Sequence, residues 1–128
     1  MDKVDVQFKK LVEWAKIPEY ETKNAAGCDI SLAITEEVVL YPNEVKSFPT
    51  GIAIKLPDGY EAQIRSRAGM ARKGIIVANA PGTIDPEHTG EINILLLNVN
   101  DKPVKIVPGQ KVAQMVISPV VQANFVQK

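Results

Sequence analysis

Cysteine occurs once in these 128 residues, as Cys28, so no internal disulfide can form. Net charge is missing as well, because fifteen basic and fifteen acidic side chains cancel. A chain with a pI near 6.6 has no basic face for duplex nucleic acid or an anionic membrane, so an anionic ligand has to be small and met by local charges. No apolar run approaches the length of a membrane span, and the N-terminal "MDKVDVQFKK" has no apolar core of a signal peptide. Internal repeats, low-complexity tracts and linkers are also wanting. These absences set the expectation of a cytoplasmic, reduced protein with neither nucleic acid nor membrane as partner. The length suits one hydrophobic core and no second, so a single domain over residues 1–128 is expected.

What is present is alternation. The segments "VDVQF", "CDISLAI", "VKSF", "IAIKL", "YEAQIRS", "INILLLNV", "VKIV", "KVAQMVI" and "VVQANFV" carry apolar and polar residues with period two, the mark of strands. Between them "YPNE", "PDG", "PGTIDPEHTG", "NDKP" and "PGQ" supply the residues of tight turns. An all-β sandwich or barrel follows. One segment departs from the pattern: "SRAGMARKG" offers Ser66 as an N-cap, a run of helix formers and Gly74 as a terminator, so a short helix of one or two turns is expected there. Arg65, Arg67, Arg72 and Lys73 crowd the same stretch. They form either a solvated basic turn or an anion site at the start of the helix.

The stretch "NAPGTIDPEHTGEI", Asn79 to Ile92, holds more charge than a chain reversal needs. Asp85 lies where the chain bends, between Pro81 and Pro86; it either caps its own turn or serves as a rigid general base for a water molecule. Glu87 and Glu91 are near enough to repel each other and call for a counter-charge. His88 is a second base, a flat packing surface or an ordinary surface histidine. Asp29, beside a Gly-Cys pair, either caps a turn or holds the water shell of a divalent ion, since magnesium keeps its waters and is met through few carboxylates.

Taken in order along the chain, "IPEYETKNAAGCDIS", "SRAGMA", "NAPGTIDPEHTGEI" and "PGQKVAQMVI" resemble the first four motifs of the trimeric all-β dUTP pyrophosphatases, the dUTPases. The resemblance spans about residues 17 to 118 and is most specific in the third motif. It implies a jelly-roll-like β-barrel with one short helical segment, and hydrolysis of dUTP to dUMP and pyrophosphate with Mg2+ as cofactor. By the same resemblance Asp85 activates the attacking water and Asp29 holds magnesium through water. Asn79 reads the uracil edge together with the hairpin of Gly82, Thr83 and Ile84. Arg67, Ala68 and Gly69 meet the phosphates, Gln114 supports them, and His88 lies against the sugar. A homotrimer whose sites draw on more than one subunit is implied too, with "VVQANFV" resembling the strand that crosses to a neighbour.

Three positions differ from the family pattern. Ala68 stands where a serine is usual, and His88 where a tyrosine stacks under the deoxyribose. The glycine-rich fifth motif does not follow "VVQANFVQK". The related dCTP deaminases use a glutamate where Leu95 stands, so no base for deamination is evident. The departures leave a second reading beside the enzyme: a dUTPase-like nucleotide-binding or regulatory protein with weak or no turnover.

Overall fold

The structure, a computed structural model, describes residues 1–128. Eleven strands and one five-residue helix are joined by turns and by one long connection, residues 11–27, so the all-β class expected from the period-two pattern holds. In chain order the strands are β1 Gln7–Lys10, β2 Cys28–Ser31, β3 Val38–Leu40, β4 Val45–Pro49, β5 Ile52–Lys55 and β6 Tyr60–Ser66. The helix α1, Ala68–Arg72, follows, and then β7 Ile75–Val77, β8 Gly82–Ile84, β9 Asn93–Asn98, β10 Val104–Ile106 and β11 Lys111–Pro119. No helix is long and apolar enough to cross a membrane.

Alternation becomes burial directly. In β6 Ala62 and Ile64 point into the core while Glu61, Gln63 and Arg65 do not; in β9 Ile94, Leu96 and Asn98 are buried between outward neighbours. The largest sheet has the order β2-β11-β6-β8, with all three pairings antiparallel. A second holds β4-β9-β7, and β1-β5 and β10-β3 are two-stranded ribbons. One cluster of 22 buried residues joins all four sheets, among them Ile30, Leu40, Ile54, Ile64, Ile94, Ile106 and Met115, so there is one core and not two.

The expected barrel is not closed. Several strands are only three residues long and end at turns carrying Pro or Gly, so hydrogen bonding stops before it can pass from one sheet to the next. The C-terminal "VVQANFV" is not a strand; apart from Val120 N–H, which donates to Gly59 C=O at 3.0 Å, it finds no partner strand within the chain and lies exposed. The N-terminal strand begins at Gln7, within "VDVQF", and runs on to Lys10.

The helix after Ser66 is present, but Ser66 does not cap it. Arg67 is the N-cap residue and contributes no side-chain hydrogen bond. Ser66 ends β6 instead, and its hydroxyl accepts from Val77 N–H at 2.9 Å, joining β6 to β7. Gly74 terminates the helix as expected: its φ is +79°, and an added Cβ would run into the Asn100 side chain.

Candidate functional site

Two hollows collect most of the residues singled out above. The first, about 350 Å³, lies where β2, β11 and the start of α1 meet, and is lined by Gly27, Asp29, Arg67, Ala68, Gly69 and Gln114, with Glu21 and Thr22 at its edge. Register explains the grouping. Asp29 on β2 is directly opposite Gln114 on β11, and residues so paired share a face. Gln114 then donates from Nε2 to Ser66 C=O at 3.1 Å, which turns its amide toward α1. Gly27 is required for this, because any Cβ there would collide with Gln114 Oε1.

Asp29 is the electrostatic centre of the first hollow. Its side chain is 11% exposed, with Arg67 Nε 3.1 Å from Oδ1 and Lys111 Nζ 3.5 Å from Oδ2. Arg67 is fixed a second time, donating from Nη1 to Lys111 C=O at 3.1 Å. With Glu21 also lining the hollow these four side chains balance in charge, and the groups that face an anion are the partly exposed Arg67 guanidinium and the open backbone at Ala68 and Gly69. That arrangement suits a polyanion. Of the four basic residues expected to crowd here, only Arg67 enters. Arg65 turns back onto Gln63, with Nη2 to Oε1 at 2.7 Å, and Arg72 and Lys73 lie exposed at the far end of the helix. Lys111 is a site residue that sequence reasoning missed; its only signal was a cation three residues before Gln114.

No group of three or more His, Cys, Asp or Glu side chains gathers to ligate a metal ion. Asp29 Oδ2 is nevertheless buried and accepts no hydrogen bond, with the Lys111 ammonium only at ion-pair distance. A leftover acceptor beside a polyanion hollow fits a contact to the water shell of a magnesium ion, and a single carboxylate does not fit a resident bare ion.

The second hollow, about 130 Å³, is lined by Ile64, Asn79, Gly82, Thr83, Ile84, His88, Ile92, Asn93 and Leu95. Its aliphatic members come from β6, β8, β9 and Ile92 just before β9, while Asn79, Asn93 and His88 supply polar edges. Asn79 rests against Gly82, where a Cβ would stand 3.1 Å from its Nδ2. Apolar faces with amide edges suit a flat polar heterocycle. Leu95 lines this hollow where a deaminase would need a carboxylate.

Asp85 follows β8 and lines neither hollow. Its turn is closed by the backbone, His88 N–H donating to Asp85 C=O at 3.0 Å, and its exposed carboxylate takes part in no hydrogen bond or ion pair. Turn capping by the Asp85 side chain is thereby excluded. Glu91 needs no counter-charge, because Gly51 N–H donates to its Oε2 at 2.7 Å; Glu87 is simply exposed. The two hollows share no lining residue.

A dUTPase family model matches residues 13–128. Among curated proteins, the deoxyuridine 5'-triphosphate nucleotidohydrolase of Chlamydia pneumoniae is 47% identical over 122 residues, covering 94% of this chain and 84% of its own. The enzyme of the same name from Hydrogenobaculum sp. (strain Y04AAS1) is 49% identical over 120 residues, covering 93% of this chain and 83% of its own. Among solved structures, a mutant dUTPase of phage phi11 of S. aureus, described with a structural Mg(II) ion, superposes with a TM-score of 0.87 at 27% identity, covering 98% of this chain and 97% of its own. A mutant dUTPase of Staphylococcus bacteriophage 80alpha with dUpNHpp gives a TM-score of 0.87 at 27% identity, covering 98% and 89%.

Proposed function

The chain belongs to the dUTPase family, and from that premise we propose that it hydrolyses dUTP to dUMP and pyrophosphate, with water attacking the α-phosphorus. The observation that carries the reading is the unpartnered Asp85 carboxylate, mounted on the same loop as the hollow fitted to a heterocycle. A base with no internal partner is free to accept a proton from water.

In this reading residues 1–128 work as one dUTPase-like domain, in the cytoplasm. Asn79 and the Gly82–Thr83–Ile84 backbone bind the uracil edge between the apolar walls of the second hollow. Asp85 orients the water and takes its proton as the oxygen–phosphorus bond forms and the bond to pyrophosphate breaks. Arg67 and the backbone at Ala68 and Gly69 bind phosphate oxygens, and Gln114 holds the strand end on which they rest. Asp29 would hold, through water, a magnesium ion accompanying the triphosphate, and that ion would neutralise charge on the phosphates. His88 packs on the sugar with a smaller face than the family's tyrosine.

The family resemblance implies a homotrimer with sites shared between subunits, and a hollow for the base and a hollow for the phosphates that share no lining residue are compatible with that assembly. The departures at Ala68 and His88 favour one second reading, a dUTP-binding regulatory protein with little turnover. Pyrophosphate release from dUTP with magnesium separates the two. Asp85→Asn is expected to keep nucleotide binding while turnover falls by about two to four orders of magnitude. Tight dUTP binding without release in the unaltered protein would select the regulatory reading, and an unchanged rate in Asp85→Asn would remove Asp85 from the chemistry.

A further inference from the structure

With no side-chain partner of its own, the Asp85 carboxylate takes its position entirely from the backbone. On the upstream side that backbone is anchored: Ile84 is buried and pairs with Ala62 in the β6–β8 ladder. On the downstream side the chain enters the Asp85–His88 turn, with Pro86 at the second position, where its fixed φ suits the bend. Proline has no N–H, so the Pro86 carbonyl is the one polar group through which that residue can be tied to the rest of the fold.

Lys55 makes that tie. It is the last residue of β5, and its ammonium donates to Pro86 C=O at 2.7 Å, across 31 residues of sequence. It forms no ion pair with Asp85 or Glu87. The other end of the same strand holds the far side of the loop: Gly51 N–H donates to Glu91 Oε2 at 2.7 Å, and Ile92 N–H to Ile52 C=O at 2.8 Å. The exposed residues Glu87 to Gly90 hang between these two fastenings. One strand thus sets both ends of the acidic loop, and Lys55 sets the end nearer the base.

We propose that Lys55 is a positioning residue for the hydrolysis, fixing the Asp85–Pro86 segment so that the free carboxylate meets the attacking water in a productive direction. This rests on the reading of Asp85 as the base. A hydrogen bond from an exposed lysine adds little to folding stability, whereas a displacement of about an ångström at a reacting group can cost up to two orders of magnitude in rate. Catalysis and stability therefore separate at this residue.

The test is steady-state pyrophosphate release from dUTP with magnesium, together with thermal unfolding, for the full chain and for Lys55→Met and Lys55→Arg. Lys55→Met should lower kcat about three- to thirtyfold with KM within about twofold of the unaltered protein and Tm within about 2 °C. Lys55→Arg, still able to donate to Pro86 C=O, should restore most of the rate. In an Asp85→Asn background Lys55→Met should cost nothing further, since the group it positions is gone. An active protein whose kcat is untouched by Lys55→Met, or whose loss persists in Lys55→Arg or adds fully to that of Asp85→Asn, overturns the assignment of Lys55 alone. Absence of pyrophosphate release from the unaltered protein overturns the functional reading and this inference together.

Discussion

Asp29 and Asp85 are both aspartates that the motifs single out, and their surroundings are opposite. Asp29 is nearly buried and shared by Arg67 and Lys111, so its charge is spent on arranging two cations around a hollow. Asp85 is exposed and shared by nothing. Immediately before Asp29 sits Cys28, 3% exposed, with Sγ donating to Met115 C=O at 3.4 Å. Burial pushes its thiol above the ordinary value of 9.0; the Asp29 carboxylate acts in the same direction, and hydrogen bonds, including one with Tyr20, oppose them. Partial desolvation raises the hydroxyl of the half-exposed Tyr20 above 10.0, with Cys28 adding to the effect. As pH rises past the ordinary thiol value, the unfolded chain gives up a proton that the folded chain keeps. The unfolded state then binds fewer protons and stability falls. Urea unfolding should therefore show a plateau over roughly pH 6 to 8 and a decline above about pH 9, with Cys28 contributing at most about 1.4 kcal/mol per pH unit. Cys28→Ala should be less stable on the plateau yet decline less steeply; an identical alkaline slope would show that Cys28 is not its source.

The end of β9 is where several elements are tied through one side chain. Asn98 is fully buried, donating from Nδ2 to Leu40 C=O and to Lys102 C=O at 2.9 Å each, while its Oδ1 accepts from Asn100 N–H at 2.8 Å. Asn100 extends the connection by donating to Lys73 C=O at 2.6 Å, so β3, β9 and the end of α1 share a polar joint. Asn98→Ala strips partners from one buried and two partly buried backbone groups and should cost about 2–4 kcal/mol in urea unfolding. A loss below about 1 kcal/mol would mean that water replaces the amide. The same contrast between local and distant pairing decides what could be read from the sequence. β6 was legible over its whole length because seven alternating residues establish a period. The runs "VVL", "IIV" and "GTI" of β3, β7 and β8 are too short to show one, and β8 lay hidden inside what reads as a turn. Conversely "VVQANFV" alternates well but has no partner strand within the chain; alternation tells which face a strand would bury, not whether a neighbour exists. In the site, motif spacing brought Asp29, Arg67 and Gln114 into view. It could not show that Arg67 pairs with Asp29, that Lys111 joins them or that Lys55 reaches Pro86, since each contact depends on which distant strands lie side by side.

At the scale of the whole molecule the two hollows draw on different residues, and the proposed trimer gives that division a testable consequence. Arg67 belongs to the first, Asp85 stands beyond the second on the β8 loop, and nothing in one chain lines both. If each site takes its phosphate-binding residues from one subunit and its base from another, two different defects can be combined without either appearing in every site. Arg67→Ala chains still carry Asp85, and Asp85→Asn chains still carry Arg67. Each variant assembled alone should be nearly inactive, because every site then lacks the same group. Unfolded together in equal amounts and refolded into the proposed trimer, they would give about a quarter of the sites an intact Arg67 from one kind of chain and an intact Asp85 from the other. Pyrophosphate release by the mixture should then recover to about a quarter of the rate of the unaltered protein, and the recovery should require refolding, not simple mixing of preformed trimers. Sites contained within single chains would give no recovery at any ratio, because every chain in the mixture is defective. The measurement therefore tests the shared site itself, independently of the mass of the assembly.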